Sequence, residues 1–551
     1  MKRIIFLPAI AALLCGACSS AVPEDYTQYV DPYIGTGDHG HVFMGANVPF
    51  GFVQLGPTSI PQTWDWCSGY NYADTTVIGF GHTHLSGTGI GDLNDISLMP
   101  VVGKVTPGRG TAGDPSSGMW SRFSRADERC APGYYATRLL RYGIGVELTA
   151  SPRVGMSRYA FPASDDAGIV LDLENGQGWD RSTDCGITAC SDRTVEGWRY
   201  STGWADDQRV YFHAEFSKPF ERIVFTGADT LSADGRSARG RKLYGRFGFR
   251  TEENERITVK VGLSAVSAEN ARRNMQAECP GWDFEAVRRN QVDTWNDLFS
   301  RLTVKTNDRL EKVRFYNNMY RAICSRNTWS DVNGQWVSTD GKVHTVADPS
   351  EDVMLGCDAF WNTFWNLNQF WNLVTPEWSN RWVNSQLAMY DANGWLAKGP
   401  AGMNYIPVMV GEHEIPLIVS AWQMGIRDFD AKKALEASVK MQTTPAQKVF
   451  KGFAGNRDLT AYMEHHYVPY DKGRFSNTME YSYDDWTVGQ LAKALGDEET
   501  YRTFNDRGYW WRNVISDEGY CHMRDSKGQW LENFDPFRSG ANQHYVEGNA
   551  W

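Results

Sequence analysis

The segment Asn542-Gln543-His544-Tyr545-Val546-Glu547-Gly548-Asn549-Ala550-Trp551 holds one carboxylate, Glu547, among aromatic, amide and small side chains. Such a setting shields a glutamate from water and raises its pKa, which a general acid working near neutral pH requires. A buried glutamate paired with a backbone amide or a cation is the rival reading. A second group joins Trp64-Asp65-Trp66-Cys67-Ser68-Gly69-Tyr70 to Gly79-Phe80-Gly81-His82-Thr83-His84. In an extended segment His82 and His84 face one side. A His-x-His pair without a third ligand says little about metal, so hydroxyl-binding or structural roles are expected and the metal ligands stay unassigned. A third group, Glu412-His413-Glu414, opens a predicted helix carrying Ile415, Leu417 and Ile418. Acids in a first turn are favoured by the helix dipole, though Glu412 can also face a cleft. Of the adjacent Asp484 and Asp485, one is expected to cap a helix with Trp486, Leu491, Ala492 and Leu495, ending at Gly496. The other is left for an ion pair or, less simply, a catalytic base. The Gly-x-Gly at residues 35–37 lacks a strand–helix context and a third glycine, so it predicts tight turns rather than a nucleotide site.

The elements that position these residues change character along the chain. From residue 27 to about 266 the pattern is β-rich. Ile257, Val259, Val261, Leu263 and Ala265 alternate with Thr258, Lys260, Gly262 and Ser264, which predicts a half-buried strand. Val210, Phe212, Ala214 and Phe216 repeat the pattern, and Ile169 to Leu173 is another apolar run. Many short strands with polar turns predict an N-terminal β-sandwich, with a surface loop from Thr106 to Ser124. Residues 267–305 read as a helical linker, interrupted at Cys279-Pro280-Gly281. From 306 to 551 helices dominate: Leu310, Val313, Tyr316, Tyr320 and Ile323 share one face, and Gly425 and Asp430 mark a stop and a start. Helices with short connections fit an α/α toroid, for which the residues present are few.

Length alone predicts about three or four domains at roughly 150 residues each. The 22 Trp, 25 Tyr and 26 Phe among 551 residues are a high aromatic content. Aromatic faces pack on the C–H face of a pyranose while polar neighbours bind its hydroxyls; large helical cores use the same rings. A net charge of −11 argues against a general nucleic-acid binder. Lys2 and Arg3 precede an apolar run from Ile4 to Leu14, too short to span a bilayer, which predicts a signal peptide over residues 1–18. Gly16-Ala17-Cys18 resembles a bacterial lipobox, with Cys18 as the lipidated residue, so an exported lipoprotein of the periplasm or cell surface is expected, held to the membrane through its N-terminal lipid. Eight later cysteines include Cys185 and Cys190, spaced to close a small loop, and contain no CxxC pair that would indicate a zinc site.

Four segments in chain order, His84-Leu85-Ser86-Gly87-Thr88-Gly89, Gly452-Phe453-Ala454-Gly455-Asn456-Arg457-Asp458, Glu480-Tyr481-Ser482-Tyr483-Asp484-Asp485-Trp486 and Glu547-Gly548-Asn549-Ala550-Trp551, resemble the motifs of glycoside hydrolase family 92. The resemblance implies an exo-acting, calcium-dependent, inverting α-mannosidase. The implied architecture is multidomain β plus α: an N-terminal β-sandwich, a helical linker and an (α/α)6 catalytic barrel, here expected to be incomplete. Glu547 matches the family's general acid, and Trp66 matches a tryptophan that lines the mannose site. An inverting enzyme also needs a base, with the two carboxyls roughly 6.5–9.5 Å apart. By the resemblance that base lies beyond residue 551, as do most calcium ligands. Where the family shows Trp-Asp-Thr, this chain has Trp361-Asn362-Thr363; the amide loses the charge, keeps one acceptor and gains two donors. Asp358, three residues earlier, is placed to supply a carboxylate from the same helical face. The flanking Phe360, Trp361, Phe364, Trp365, Phe370 and Trp371 are expected to be mostly core.

The expected activity is therefore removal of terminal α-linked mannose from mannose-containing glycans by inverting hydrolysis. Glu547 is the acid, and Trp66, His84, Asp358, Asn362 and Glu412 are the candidate sugar contacts. The alternatives are a mannoside-binding lipoprotein without catalysis, a mannosyl-phosphate hydrolase, and an (α/α)-barrel hydrolase for another sugar.

Overall fold

Alternation at Val210, Phe212, Ala214 and Phe216 becomes strand Gln208–Phe216, with all four side chains buried. It belongs to a computed structural model that describes residues 24–114, 116–324, 327–356, 359–407, 411–450 and 452–535. Cys18, Asp358 and Glu547 lie outside the described residues. Two antiparallel sheets hold the N-terminal half. One has seven strands, ordered Ala46–Asn47, Gln54–Thr58, Gly79–Gly81, Ser97–Val102, Ser164–Asp172, Tyr244–Thr251, Arg222–Thr226. The other has ten, running from Thr230–Leu231 at one edge to Arg129–Ala131 at the other. The sheets share one apolar core, which continues into the helical half through residues such as Trp329, Ile415 and Val488.

Strand Glu255–Ser264 departs from expectation. It is buried on both faces from Ile257 onward rather than half-buried. Helix Ala268–Glu278, capped by Ser267 accepting from the Asn270 amide, lies across its outer face. A Cβ on Gly262 would collide with the Ala271 carbonyl. The polar residues of the alternation are absorbed by partners: Lys260 Nζ donates to the Cys279 carbonyl at 3.1 Å, and Ser264 Oγ donates to Asp331 at 2.7 Å.

Helices follow, from Ala268–Glu278 and Phe284–Ser300 to Glu498–Arg507. The face predicted on helix Arg309–Arg321 holds for Tyr316, Tyr320 and Ile323, but Leu310 is 54% exposed because the first turn projects past the core. Asp430 caps Ala431–Thr443 as expected, accepting from the amides of Lys432 and Lys433. Asp484 is not a cap: helix Asn477–Leu495 begins seven residues earlier and ends at Gly496 with φ +80°. Cys185 and Cys190 are unpaired. Five residues apart along an extended segment, they point to opposite faces of the sheet. Residues 106–114 and 116–120 hold no strand of their own, as expected, but Ser121–Arg122 pairs with Thr76–Val77 and Trp120 packs against Ile60 and Ile78.

The two halves are tied directly. Phe50 stacks on Trp378 with ring centroids 3.9 Å apart. Tyr320 donates to Asn47 at 3.1 Å, and Arg153 pairs with Glu278 at 2.8 Å. Asn404 bonds both the amide and the carbonyl of Asp207, at 3.1 and 2.9 Å. Among the described residues no helix is long and apolar enough to cross a membrane.

Candidate active site

Helix Asn477–Leu495 separates two depressions. On one side Asn477 and Tyr481 face a small polar cavity of about 130 Å³, also lined by Lys398, Arg457, Asp458 and Arg474. It meets, at Pro407 and Arg457, a cavity of about 450 Å³ between the domains. There Trp204 and Asp206 of the sandwich face Tyr405, Phe453 and Arg457 of the helical half. On the other side of the helix, Phe364, Trp365, Tyr483, Trp486, Tyr509 and Trp511 line an aromatic groove of about 490 Å³ that also includes Glu480.

Between these depressions lies a buried set of ionisable groups. Lys398 Nζ sits 2.7 Å from Glu412, and both side chains are almost wholly excluded from solvent. Glu414 is fully buried; loss of water first, and the neighbouring Glu412 charge second, push it well above the usual carboxylate range. His413 Nδ1 accepts the Asn362 amide at 3.0 Å, so Nε2 carries the proton and donates to Glu480 at 2.7 Å. Asp484 accepts the Glu412 amide at 2.8 Å, and Asp485 accepts from Tyr462 at 2.8 Å and Arg507 Nε at 3.0 Å. Burial pushes both aspartates up to about 7, Asp485 despite the Arg507 guanidinium beside it.

Asp484 has a measurable consequence for stability. Its native pKa of about 7 lies above the unfolded 3.8. The native state therefore binds the extra proton between these values, and stability falls as pH rises from about 4 to 7. Asp484→Asn keeps an oxygen for the Glu412 amide and removes the charge. The variant is expected to melt above the parent at pH 8, with the difference closing toward pH 4, in thermal unfolding followed by circular dichroism. A constant difference across that range would show that Asp484 is not the titrating group.

Asn362 and Glu412 each join this buried set through a backbone amide, Asn362 to His413 and Glu412 to Asp484. Asn362 adopts a left-handed φ of 60°, which asparagine tolerates better than most residues. Residues 361 and 362 form a turn rather than a helix, and Asp358 lies outside the described residues. Among the flanking aromatics, Phe360 and Trp371 are buried, whereas Trp361 and Trp365 are 36% and 65% exposed. His84 is a correction: it lies inside the sandwich, with Nδ1 donating to the Gln54 carbonyl at 2.8 Å and Nε2 3.2 Å from Thr58 Oγ1. Burial lowers its pKa to about 4, so it is a neutral core histidine with no free nitrogen for sugar. His82 donates to the Ile96 carbonyl, so the two rings share no ligand site. Trp66 is half-buried, its Nε1 committed to Asp74 at 3.0 Å. Trp204 lines the cavity between the domains.

Lys398, Arg507 and Trp204 were missed, since nothing local marks a lone lysine, arginine or tryptophan. Calcium takes six to eight oxygen ligands. Among the described residues, three or more carboxylate, histidine or cysteine ligands converge only at His39, His41 and Asp65, and two imidazoles do not suit calcium.

A sheet-rich half is joined to a helical half that holds the buried acids, and both halves match one family, to which the chain belongs. Residues 29–264 match the glycosyl hydrolase family 92 N-terminal domain, and residues 270–551 match the glycosyl hydrolase family 92 catalytic domain. Among solved structures, the chain is similar to a family GH92 α-mannosidase from Bacteroides thetaiotaomicron in complex with mannoimidazole. That protein is 32% identical, with a TM-score of 0.87 over 94% of this chain and 68% of that one. It is also similar to an inverting family GH92 mannosidase of the same organism, at 25% identity and a TM-score of 0.81 over 94% of this chain and 68% of that one. An uncharacterized secreted glycosidase of Arthroderma benhamiae is 24% identical over 546 residues, 91% of this chain. The chain spans 64% of the length of that relative.

Proposed function

We propose that this protein removes terminal α-linked mannose from glycans, with inversion at the anomeric carbon. The observation that carries the reading is the likeness over 94% of the chain to an α-mannosidase solved with mannoimidazole. The cavity beside helix Asn477–Leu495 supports it. It is small, enclosed by Lys398, Arg457, Asp458, Asn477 and Tyr481, and rich in donors and acceptors for sugar hydroxyls. It opens toward Trp204 and Phe453, whose faces suit the remainder of a glycan. In this reading Glu547 protonates the glycosidic oxygen as the bond to the anomeric carbon breaks. A carboxylate on the opposite face takes a proton from the attacking water.

The test is incubation of the full-length protein with α-mannosides and with glycans ending in other hexoses, followed by chromatography of the released sugar. Free mannose from the mannosides alone is expected. Release of a different hexose would mean an (α/α)-barrel hydrolase of other specificity, and tight mannoside binding with no release would mean a binding protein.

A further inference from the structure

His39, His41 and Asp65 come together in the N-terminal half. Their ligand atoms all lie within 4.8 Å of one another, the one such convergence among the described residues. Asp65 Oδ1 takes His39 Nδ1 at 2.5 Å and His41 Nε2 at 3.3 Å. Two imidazoles therefore address the same carboxylate oxygen.

The chain holds this arrangement at some cost. Asp38 and His41 both adopt left-handed φ, 47° and 51°, which non-glycine residues rarely do. A Cβ on Gly40, between the histidines, would collide with the Gly35 carbonyl. The surroundings fix the ligands further. The Trp64 ring packs edge-on against His41 with centroids 4.3 Å apart, and Trp64 Nε1 is tied to the Gly89 carbonyl at 2.9 Å. The His41 carbonyl accepts the Gly87 amide at 2.8 Å. The side chain of His41 is 6% exposed and that of Asp65 24%, while His39 is 75% exposed. One ligand thus opens to solvent beside two that are held.

Two imidazole nitrogens with one carboxylate oxygen suit zinc and its first-row neighbours, whereas calcium and magnesium take oxygen ligands. Three protein ligands leave a further position for water on the exposed side. We propose that His39, His41 and Asp65 bind a zinc-class divalent ion, which clamps the loop at residues 38–41 onto the turn Trp64–Trp66. The ion replaces the bare histidine–carboxylate contacts, each ligand moving by less than a side-chain width. The site shares no residue with the cavity beside helix Asn477–Leu495 and does not depend on the mannosidase reading.

The experiment uses the full-length protein stripped of metal and titrated with zinc chloride against a chromogenic chelator, with cobalt(II) as a spectroscopic substitute. One zinc per chain is expected, together with visible cobalt bands of a four- or five-coordinate ion. His39→Ala is the decisive variant because the residue is largely at the surface, so the metal-free melting temperature should not change. It should weaken zinc binding by more than the roughly 10–100-fold that loss of an outer-sphere partner costs, and abolish the cobalt bands. Asp65→Asn should do the same. Absence of zinc binding, or binding undiminished in His39→Ala, would overturn the proposal and leave Asp65 as a simple partner of two histidines.

Discussion

Glutamine in place of Glu547 is expected to slow release of mannose from a disaccharide by about 10²–10⁴-fold, the usual contribution of a general acid. A sugar alkoxide is a poor leaving group and departs only as it gains a proton. Glutamine keeps the size and the hydrogen bonding of glutamate but cannot supply that proton. An activated aryl mannoside needs little protonation, so its hydrolysis should fall far less. The comparison of kcat/KM for the two substrates separates loss of the acid from loss of the fold. Equal losses for both would remove Glu547 from its role. Full retention with a mannosyl phosphate would favour the phosphate-releasing alternative.

Methionine in place of Arg199 is expected to destabilise the sandwich by about 3–5 kcal/mol, the usual cost of breaking a buried ion pair from one side. Arg199 is wholly buried, with Nη1 2.6 Å from Asp95, Nη2 2.5 Å from Asp180, and Nε donating to the Leu173 carbonyl at 3.1 Å. Methionine fills much of the volume and leaves two buried carboxylates with no counter-charge. Asp95 also accepts from Thr83 and Gln208, and nearby Asp92 accepts the amides of Trp204 and Ala205. The damage should therefore spread to the loop that carries Trp204 to the domain junction. At roughly 2–4 °C per kcal/mol for a domain of this size, the melting temperature should fall by about 10 °C. Protonation of the stranded aspartates should recover part of the loss under acidic conditions. An unchanged melting temperature would mean that the three groups are not coupled.

Much of the fold was legible because it is written in local periodicity. Period-two alternation marked Gln208–Phe216, and the fall to helical spacing near Ser267 marked the start of helix Ala268–Glu278. What period cannot report is what lies on the second face. Glu255–Ser264 looked half-buried because nothing in its own residues says that a helix covers it. The site was legible only where a short motif carried it. Glu412 and Asn362 stand out locally, but they bond His413 and Asp484 through their backbone amides, and neither Asp484 nor Asp485 caps helix Asn477–Leu495. Lys398 and Arg507 acquire meaning only from partners 14 and 22 residues away, Glu412 and Asp485. The His-x-His at 82 and 84 drew notice because it stood beside a motif, and it is core. The one at 39 and 41 was passed over, since its third ligand is 24 residues on.

The account is tested most directly by proton magnetic resonance of the sugar at the moment it leaves an α-mannoside in the presence of the full-length protein. β-Mannopyranose appearing first, with the α anomer growing in later by mutarotation, is the result it predicts. α-Mannopyranose appearing first, or a first-released sugar other than mannose, would contradict it.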